Sequence, residues 1–171
     1  MREYLDIYIR APQVGDGVGL ARSWVDVGAY YAKLNPDLFQ VPAADGLADA
    51  LEAGVLKSAS ENHLIRVAEI DRQVVGAVGA SFHAPALDAA HQFVRDVTLP
   101  RIIIDLLFVW PAYWRHGVGK QLLEAAETWG RNKGAVMSLL ETYIDSPVSV
   151  PFYEHGMAYQ RRGLWYRKLL T

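Results

Sequence analysis

Arg101-Ile102-Ile103-Ile104-Asp105-Leu106-Leu107-Phe108-Val109-Trp110-Pro111-Ala112-Tyr113-Trp114-Arg115-His116-Gly117-Val118-Gly119-Lys120 is the stretch that decides the fold. Its apolar run, broken only by Asp105, has the character of a buried strand, and Pro111 closes it. Gly117 and Gly119 then lead into a periodic sequence, beginning at Lys120, that reads as a helix. A strand, glycine turn and helix in succession leave several backbone N–H groups without intrachain partners at the positive end of a helix dipole. Such a junction suits a phosphate or pyrophosphate. Spacing excludes two common versions of it. A P-loop needs glycine where Trp114 stands and Ser or Thr where Gln121 stands. A dinucleotide fingerprint needs a third glycine where this chain has Leu122.

Working outward, the helix carries Val118, Leu122, Ala126 and Trp129 as a buried stripe and ends at Lys133-Gly134, a cation in the last turn followed by a residue suited to the left-handed cap. Ala135 to Leu140 then reads as a strand that a right-handed crossover places parallel to the first. Upstream, Tyr4 to Arg10 is expected to be a strand. Leu20, Trp24, Val27 and Tyr31 mark a helix that stops at Asn35-Pro36, and Ala44 to Ser58 reads as a second helix with Leu47, Leu51, Val55 and Leu56 inward. His63 to Ile70 and Val74 to Phe82 form an antiparallel pair around Asp71-Arg72-Gln73, and Gly76 and Gly79 suggest a bulge or a close backbone neighbour. The connection from His83 to Pro100 has a helix-compatible middle at Leu87 to Val94 and reads equally as a flap or a surface excursion. Downstream, Ser146 or Ser149 caps a short helix bearing Phe152-Tyr153-Glu154-His155, and Met157 to Leu169 reads as a closing strand.

Composition bounds the function. The 171 residues suit one domain, 1–171, and 51% apolar against 21% charged residues indicates a globular chain. Seventeen Lys plus Arg against 19 Asp plus Glu give no field for nucleic acid. With no cysteine and five scattered histidines, no thiol nucleophile and no metal site are expected. No apolar run is long enough to span a membrane, and the start lacks a leader-like apolar stretch, so a cytoplasmic location is expected.

Leu107-Phe108-Val109, Pro111 and the loop Trp114-Arg115-His116-Gly117-Val118-Gly119 together resemble the acyl-CoA-binding core of the GNAT superfamily of N-acetyltransferases. Phe152-Tyr153-Glu154 followed by Gly156-Met157 is similar to that family's Tyr-Glu-x-x-Gly-Phe signature with one residue fewer. Trp114 departs from the Arg or Gln usual at the first loop position. The resemblance implies an α/β fold of α+β type, a single domain with a mixed central sheet of six to seven strands and about four helices. It implies acetyl-CoA as co-substrate, held by Leu107, Phe108 and Val109 along the strand, by Trp114, Arg115, His116, Gly117, Val118, Gly119 and Lys120 at the phosphates, and by Ser146 and Ser149. It further implies Tyr153 as the acid that protonates the departing thiolate, a primary amine of a small molecule or protein as acceptor, and homodimers as a common state among members. For the general base the residues leave two candidates: Asp105, costly inside an apolar strand unless paired, hydrated or used, and Glu141 at the end of the neighbouring strand. Tyr30, Tyr31 and His83 are the candidate substrate contacts. The basic tail, Arg161-Arg162 and Arg167-Lys168, reads as a solvated face or as a partner of a CoA phosphate. An acyl-CoA-binding sensor or assembly module without turnover is the alternative reading at this point.

Overall fold

The computed structural model describes residues 5–170. Two compact units divide the chain, the first ending at Glu141 and the second beginning at Thr142. In the first unit a five-stranded sheet has the order β1 (Tyr8–Arg10), β2 (His63–Ile70), β3 (Gln73–His83), β4 (Arg101–Val109) and β5 (Met137–Leu140). Neighbours are antiparallel except β4 and β5, which run parallel because α3 (Val118–Asn132) carries the chain back between them. The turn between β2 and β3 is a two-residue one with Asp71 and Arg72 both at positive φ, 49° and 61°, a geometry matched to the twist of the strands it joins.

Helices cover both faces of this sheet. On one, α1 (Gly17–Leu34) and α2 (Leu47–Ser58) pack Leu20 and Val55 against Ile65, Val67, Ala77 and Phe108, with Trp24, Val27, Leu51 and Leu106 around them. Gly17 lets the two helices meet, since a Cβ there would lie 2.4 Å from the carbonyl oxygen of Ala48. On the other face α3 buries Val118, Leu122, Ala126 and Gly130, a row at exact i, i+4 spacing, together with Leu123. Burial of each leucine removes enough apolar surface to contribute roughly 2 kcal/mol.

Gly130 fixes how closely α3 approaches β4: a Cβ there would sit 2.7 Å from Cγ2 and 2.9 Å from Cδ1 of Ile102. Gly130→Ala therefore sets an overpacking cost of about 1–3 kcal/mol against a helix-propensity gain of about 1 kcal/mol. We expect a net loss of about 1 kcal/mol, read as a lower urea midpoint at unchanged slope. Equal or greater stability would show that Ile102 moves aside freely.

Several expectations need correction. The sheet has five strands among the described residues, where six to seven were expected, and Met157 to Leu169 forms no strand. Loose alternation does not suffice there: Ala158 turns the chain at φ 58°, Arg161-Arg162-Gly163 interrupts the apolar pattern, and Leu164, Trp165 and Tyr166 are exposed. The first strand is only Tyr8–Arg10, with Tyr4 outside the described residues. The second helix begins at Leu47, after Gly46 in the left-handed region, and its Leu56 is exposed. The 83–100 connection contains two 3₁₀ turns, Ala89–His91 and Arg95–Thr98, in place of a helix. Gly76 and Gly79 do mark irregular pairing. A Cβ on Gly76 would meet the Phe108 carbonyl oxygen at 2.6 Å, and the register of β3 on β4 shifts between Gly79 and Ala80.

In the second unit a single helical turn, α4 (Ser149–Pro151), runs directly into a π-turn over Phe152–Gly156. The cap position of this short element is Val148, neither of the two serines expected there; the backbone N–H of Ser149 donates to Ser146 Oγ at 3.1 Å, and Thr142 and Ser149 join their hydroxyls at 2.6 Å.

Candidate active site

Hydrogen-bond alternation along β4 determines which backbone groups are available. The N–H of Trp110 donates to Val75 C=O at 2.7 Å, so the bonded pairs on β3 continue through Phe108 with Ala77 and Leu106 with Gly79. Leu107 and Val109 alternate with these and turn their N–H and C=O to the opposite edge. On that edge β5 pairs only with Arg101, Ile102, Ile103 and Ile104, the last opposite Leu140. Beyond Ile104 no described strand pairs with it, so β4 is a central strand for its first half and an open edge for its second.

The open edge leads straight to an uncapped helix. Gly117, at φ 87°, is the residue before α3, which has no side-chain cap and no acidic residue in its first turn. Its first helical bond runs from Gln121 N–H to Gly117 C=O at 3.0 Å, so the N–H groups of Val118, Gly119 and Lys120 precede the helical ladder. Arg115 and Lys120 add positive charge beside them. Lys120 reaches Glu124 at 3.8 Å with both side chains about half exposed, a pairing that contributes little and leaves the cation usable. His116 turns Nδ1 to the Trp114 carbonyl at 2.9 Å.

Trp114 has a position its residue type did not foretell. Its indole N–H donates to the Val109 carbonyl at 2.7 Å, so it occupies one of the backbone acceptors on the open edge. Tyr30 meets the same indole edge-on at 4.7 Å between ring centroids, Tyr31 packs on Tyr30 at 5.4 Å, and Phe39 packs on Tyr31 at 5.1 Å. Contacts of this kind add about 0.5–1.5 kcal/mol each beyond area burial. Tyr30 and Tyr31, expected at the substrate, thus form an aromatic row that ends on the phosphate-side loop. Trp110 is held separately, with its indole N–H on Asp26 at 2.6 Å and the Arg22 guanidinium 3.8 Å above its ring.

The two candidate bases stand at equivalent points. Asp105 follows Ile104 and Glu141 follows Leu140, so each is the first residue past the last paired couple, where the strands part. Asp105 is also the extra residue of the β4 bulge, since Gly79 faces Leu106 and Ala80 faces Ile104. Its carboxylate accepts the hydroxyl of Ser81 and lies 3.5 Å from His63 Nε2. Neither His63 nor Ser81 was singled out from the sequence. The turn at Asp71-Arg72 pairs the two strands that carry them and Gly79 marks the bulge, but nothing in the sequence says that Asp105 is the residue it brings to them. His83 lies at the end of β3 in register with Arg101, two residues from Ser81. Glu141 is exposed.

In the second unit Tyr153 sits in the π-turn with its ring 5.1 Å from Phe152 and 5.9 Å from Tyr159, whose N–H donates to the Tyr153 carbonyl at 2.9 Å. Glu154 is bonded to Arg161, which holds the carboxyl below its usual range and raises the guanidinium. The basic tail is thereby partly engaged. Ser146 is buried and Ser149 half-buried.

Two cavities, of about 290 and 380 Å³, lie at the start of α1 and beside Gly130, away from the 114–120 loop. Among the described residues no cluster of His, Cys, Asp and Glu could hold a metal ion, and no helix is long and apolar enough to cross a membrane.

Comparison with known proteins follows the same lines. The sequence model of the acetyltransferase (GNAT) family matches residues 29–159. An aminoglycoside N(6')-acetyltransferase type 1 of Salmonella typhimurium is 30% identical over 80 residues, which is 46% of this chain and 55% of that enzyme. The chain therefore aligns with only about half the length of that curated relative. A mutant of a Bacillus halodurans protein shares the fold at TM-score 0.77, with 19% identity over 96% of this chain and 99% of that one. An N-acetyltransferase of Thermoplasma acidophilum, solved with coenzyme A, does so at 0.66, with 19% identity over 89% of each.

Proposed function

The chain belongs to the acetyltransferase (GNAT) family, and from that premise we propose that it transfers the acetyl group of acetyl-CoA to a primary amine of a small molecule by direct attack on the thioester. The observation that carries this reading is the open edge of β4 over Leu107 to Val109, running into the uncapped start of α3. An extended arm with amide groups finds N–H and C=O partners along that edge, and a pyrophosphate finds the free N–H groups of Val118, Gly119 and Lys120. Arg115, His116 and Lys120 border the phosphates. A backbone N–H of Leu107 or Val109 is placed to stabilise the oxyanion that forms when the amine attacks, so no side chain is required for that task.

Tyr153 is assigned as the acid for the departing thiolate on its match to the family tyrosine, and a phenol, protonated at neutral pH, suits that role. Ser146 and Ser149 are assigned to the co-substrate on the same footing. Asp105 and Glu141 are the candidates to take a proton from the amine. His83 is assigned to the acceptor side, whereas Tyr30 and Tyr31 pack toward Trp114 of the phosphate-side loop. The relative that acts on aminoglycosides supports a small-molecule amine as acceptor.

The test is thermal unfolding with acetyl-CoA, with ATP and NAD as controls. At a hundred times its dissociation constant acetyl-CoA should add about 2.7 kcal/mol to stability, with no comparable rise for the controls. No rise at millimolar acetyl-CoA would remove the basis of this reading. Stabilisation without CoA release across a broad amine panel would favour a binding module.

A further inference from the structure

One face of α1 carries Arg22, Asp26 and Tyr30, a row at i, i+4 and i+8 spacing, and each of the three meets an indole of the segment that joins β4 to α3. Asp26 accepts the Trp110 indole N–H at 2.6 Å, and the Arg22 guanidinium lies 3.8 Å from the centroid of the same indole. Tyr30 stands edge-on to Trp114 at 4.7 Å. Between the two indoles the segment is a tight turn, with Tyr113 N–H on the Trp110 carbonyl at 2.8 Å and Trp114 N–H on the Pro111 carbonyl at 3.2 Å. Beyond it His116 Nδ1 holds the Trp114 carbonyl at 2.9 Å, Arg115 turns the chain at φ 65°, and Gly117 precedes α3. Both ends of the turn are thus tied to one helix, and its far end is tied to the Val109 carbonyl as well. Three residues separate Trp114 from Val118, the first of the free N–H groups.

We propose that Arg22, Asp26 and Tyr30 are positioning residues for the co-substrate. Through Trp110 and Trp114 they hold the loop in the conformation that presents the N–H groups of Val118, Gly119 and Lys120, so part of the affinity for acetyl-CoA resides in α1. The assignment rests on the co-substrate binding in the acetyl-transfer reading above and adds to it residues of a helix given no phosphate contact there. A loop that is loose in the free protein has to be ordered when a ligand binds, and that ordering is subtracted from affinity; a loop already held avoids the loss. The same clamp fixes where the pairing edge ends. With the Trp114 indole on its carbonyl, Val109 offers an extended arm its N–H alone, whereas Leu107 offers both groups. Asp26 is the tie that can be cut cleanly, because it is exposed on the helix and alanine suits such a position.

The experiment measures the dissociation constant of CoA by calorimetric titration, with no amine present, for the wild type, Asp26→Ala, Asp26→Asn and Tyr30→Ala, beside the urea midpoint of each. Alanine removes the acceptor for the Trp110 indole, whereas asparagine keeps a side-chain carbonyl oxygen in its place. A hydrogen bond of ordinary net strength corresponds to about 3- to 10-fold in affinity. The expected result is CoA binding weaker by about that factor in Asp26→Ala and in Tyr30→Ala, and restored to within about 2-fold of the wild type in Asp26→Asn. A lowered urea midpoint with an unchanged dissociation constant in Asp26→Ala and Tyr30→Ala would make these residues merely structural and overturn the assignment, while leaving the co-substrate reading standing. Binding as weak in Asp26→Asn as in Asp26→Ala would overturn the role of the indole hydrogen bond. No binding of CoA by the wild type would remove the acetyl-transfer reading and this assignment with it.

Discussion

Tyr153→Phe is expected to lower the rate of acetyl transfer by about 10²- to 10⁴-fold while leaving the stabilisation by acetyl-CoA in place. The substitution removes a hydroxyl and keeps the ring, so the contacts of that ring with Phe152 and Tyr159 survive and the π-turn keeps its packing. What is lost is a proton donor for a thiolate leaving group, a loss felt after co-substrate binding. The split is the informative part: full binding with little turnover identifies an acid, whereas joint loss of both would identify a structural tyrosine. A rate within a few-fold of the wild type would sink the assignment and leave solvent as the proton source. π-turns frequently occur at functional sites, which gives the tyrosine an unusual backbone setting independent of its residue type.

The largest effect on stability should come from Arg10→Ala, about 3–5 kcal/mol. Arg10 donates from Nε to Glu69 at 2.7 Å, from Nη2 and Nη1 to the two Asp16 oxygens at 2.7 and 2.8 Å, and from Nη1 to the Ala11 carbonyl at 3.0 Å. Asp16 is only 4% exposed, so the substitution leaves a nearly buried carboxylate with the Gln13 N–H as its remaining recorded donor. The hydrogen bonds from Arg10 to Asp16 are the main reason that its proton affinity is raised above the ordinary arginine value. A raised affinity contributes stability in full below the ordinary arginine range and loses it only as pH rises beyond, so the guanidinium adds no pH dependence near neutrality. Denaturant unfolding of Arg10→Ala, and of the same change combined with Asp16→Ala, checks this. The double variant should recover part of the loss because no carboxylate is left unpaired. A single-variant loss below about 1 kcal/mol would show that the network behaves as an exposed pair.

The strand, turn and helix over 101–134 were legible in the sequence because each carries a strong local signal: an apolar run broken only by Asp105, a proline, two glycines and a regular i, i+4 row. The parallel placement of β5 followed from chirality alone. Gly79 announced the bulge, but that Asp105 is its extra residue, and where β4 parts from β5, depend on register, which is set by partners distant in sequence. His63 and Asp105 are 42 positions apart and meet only because three strands align, so no motif announces them. Trp114 shows the converse. The sequence shows it only as a departure from the family pattern at the phosphate loop, and the structure has its indole N–H on the Val109 carbonyl. The tail from Met157 misled because alternation marks a surface that fits a sheet without supplying the neighbouring strand.

An open strand edge inside a sheet carries a hazard as well as an opportunity. Unpaired N–H and C=O groups attract any extended chain, and long apolar edges are where proteins stick to one another. Leu106, Leu107, Phe108 and Val109 would make such an edge if nothing guarded its entrance. Asp105 stands there, half-exposed and charged, at the first unpaired position. A charge at that point makes insertion by a foreign strand costly. An exposed acidic side chain at the first unpaired position is the kind of feature by which sheets discourage edge-to-edge pairing, and here it stands where β4 loses its partner.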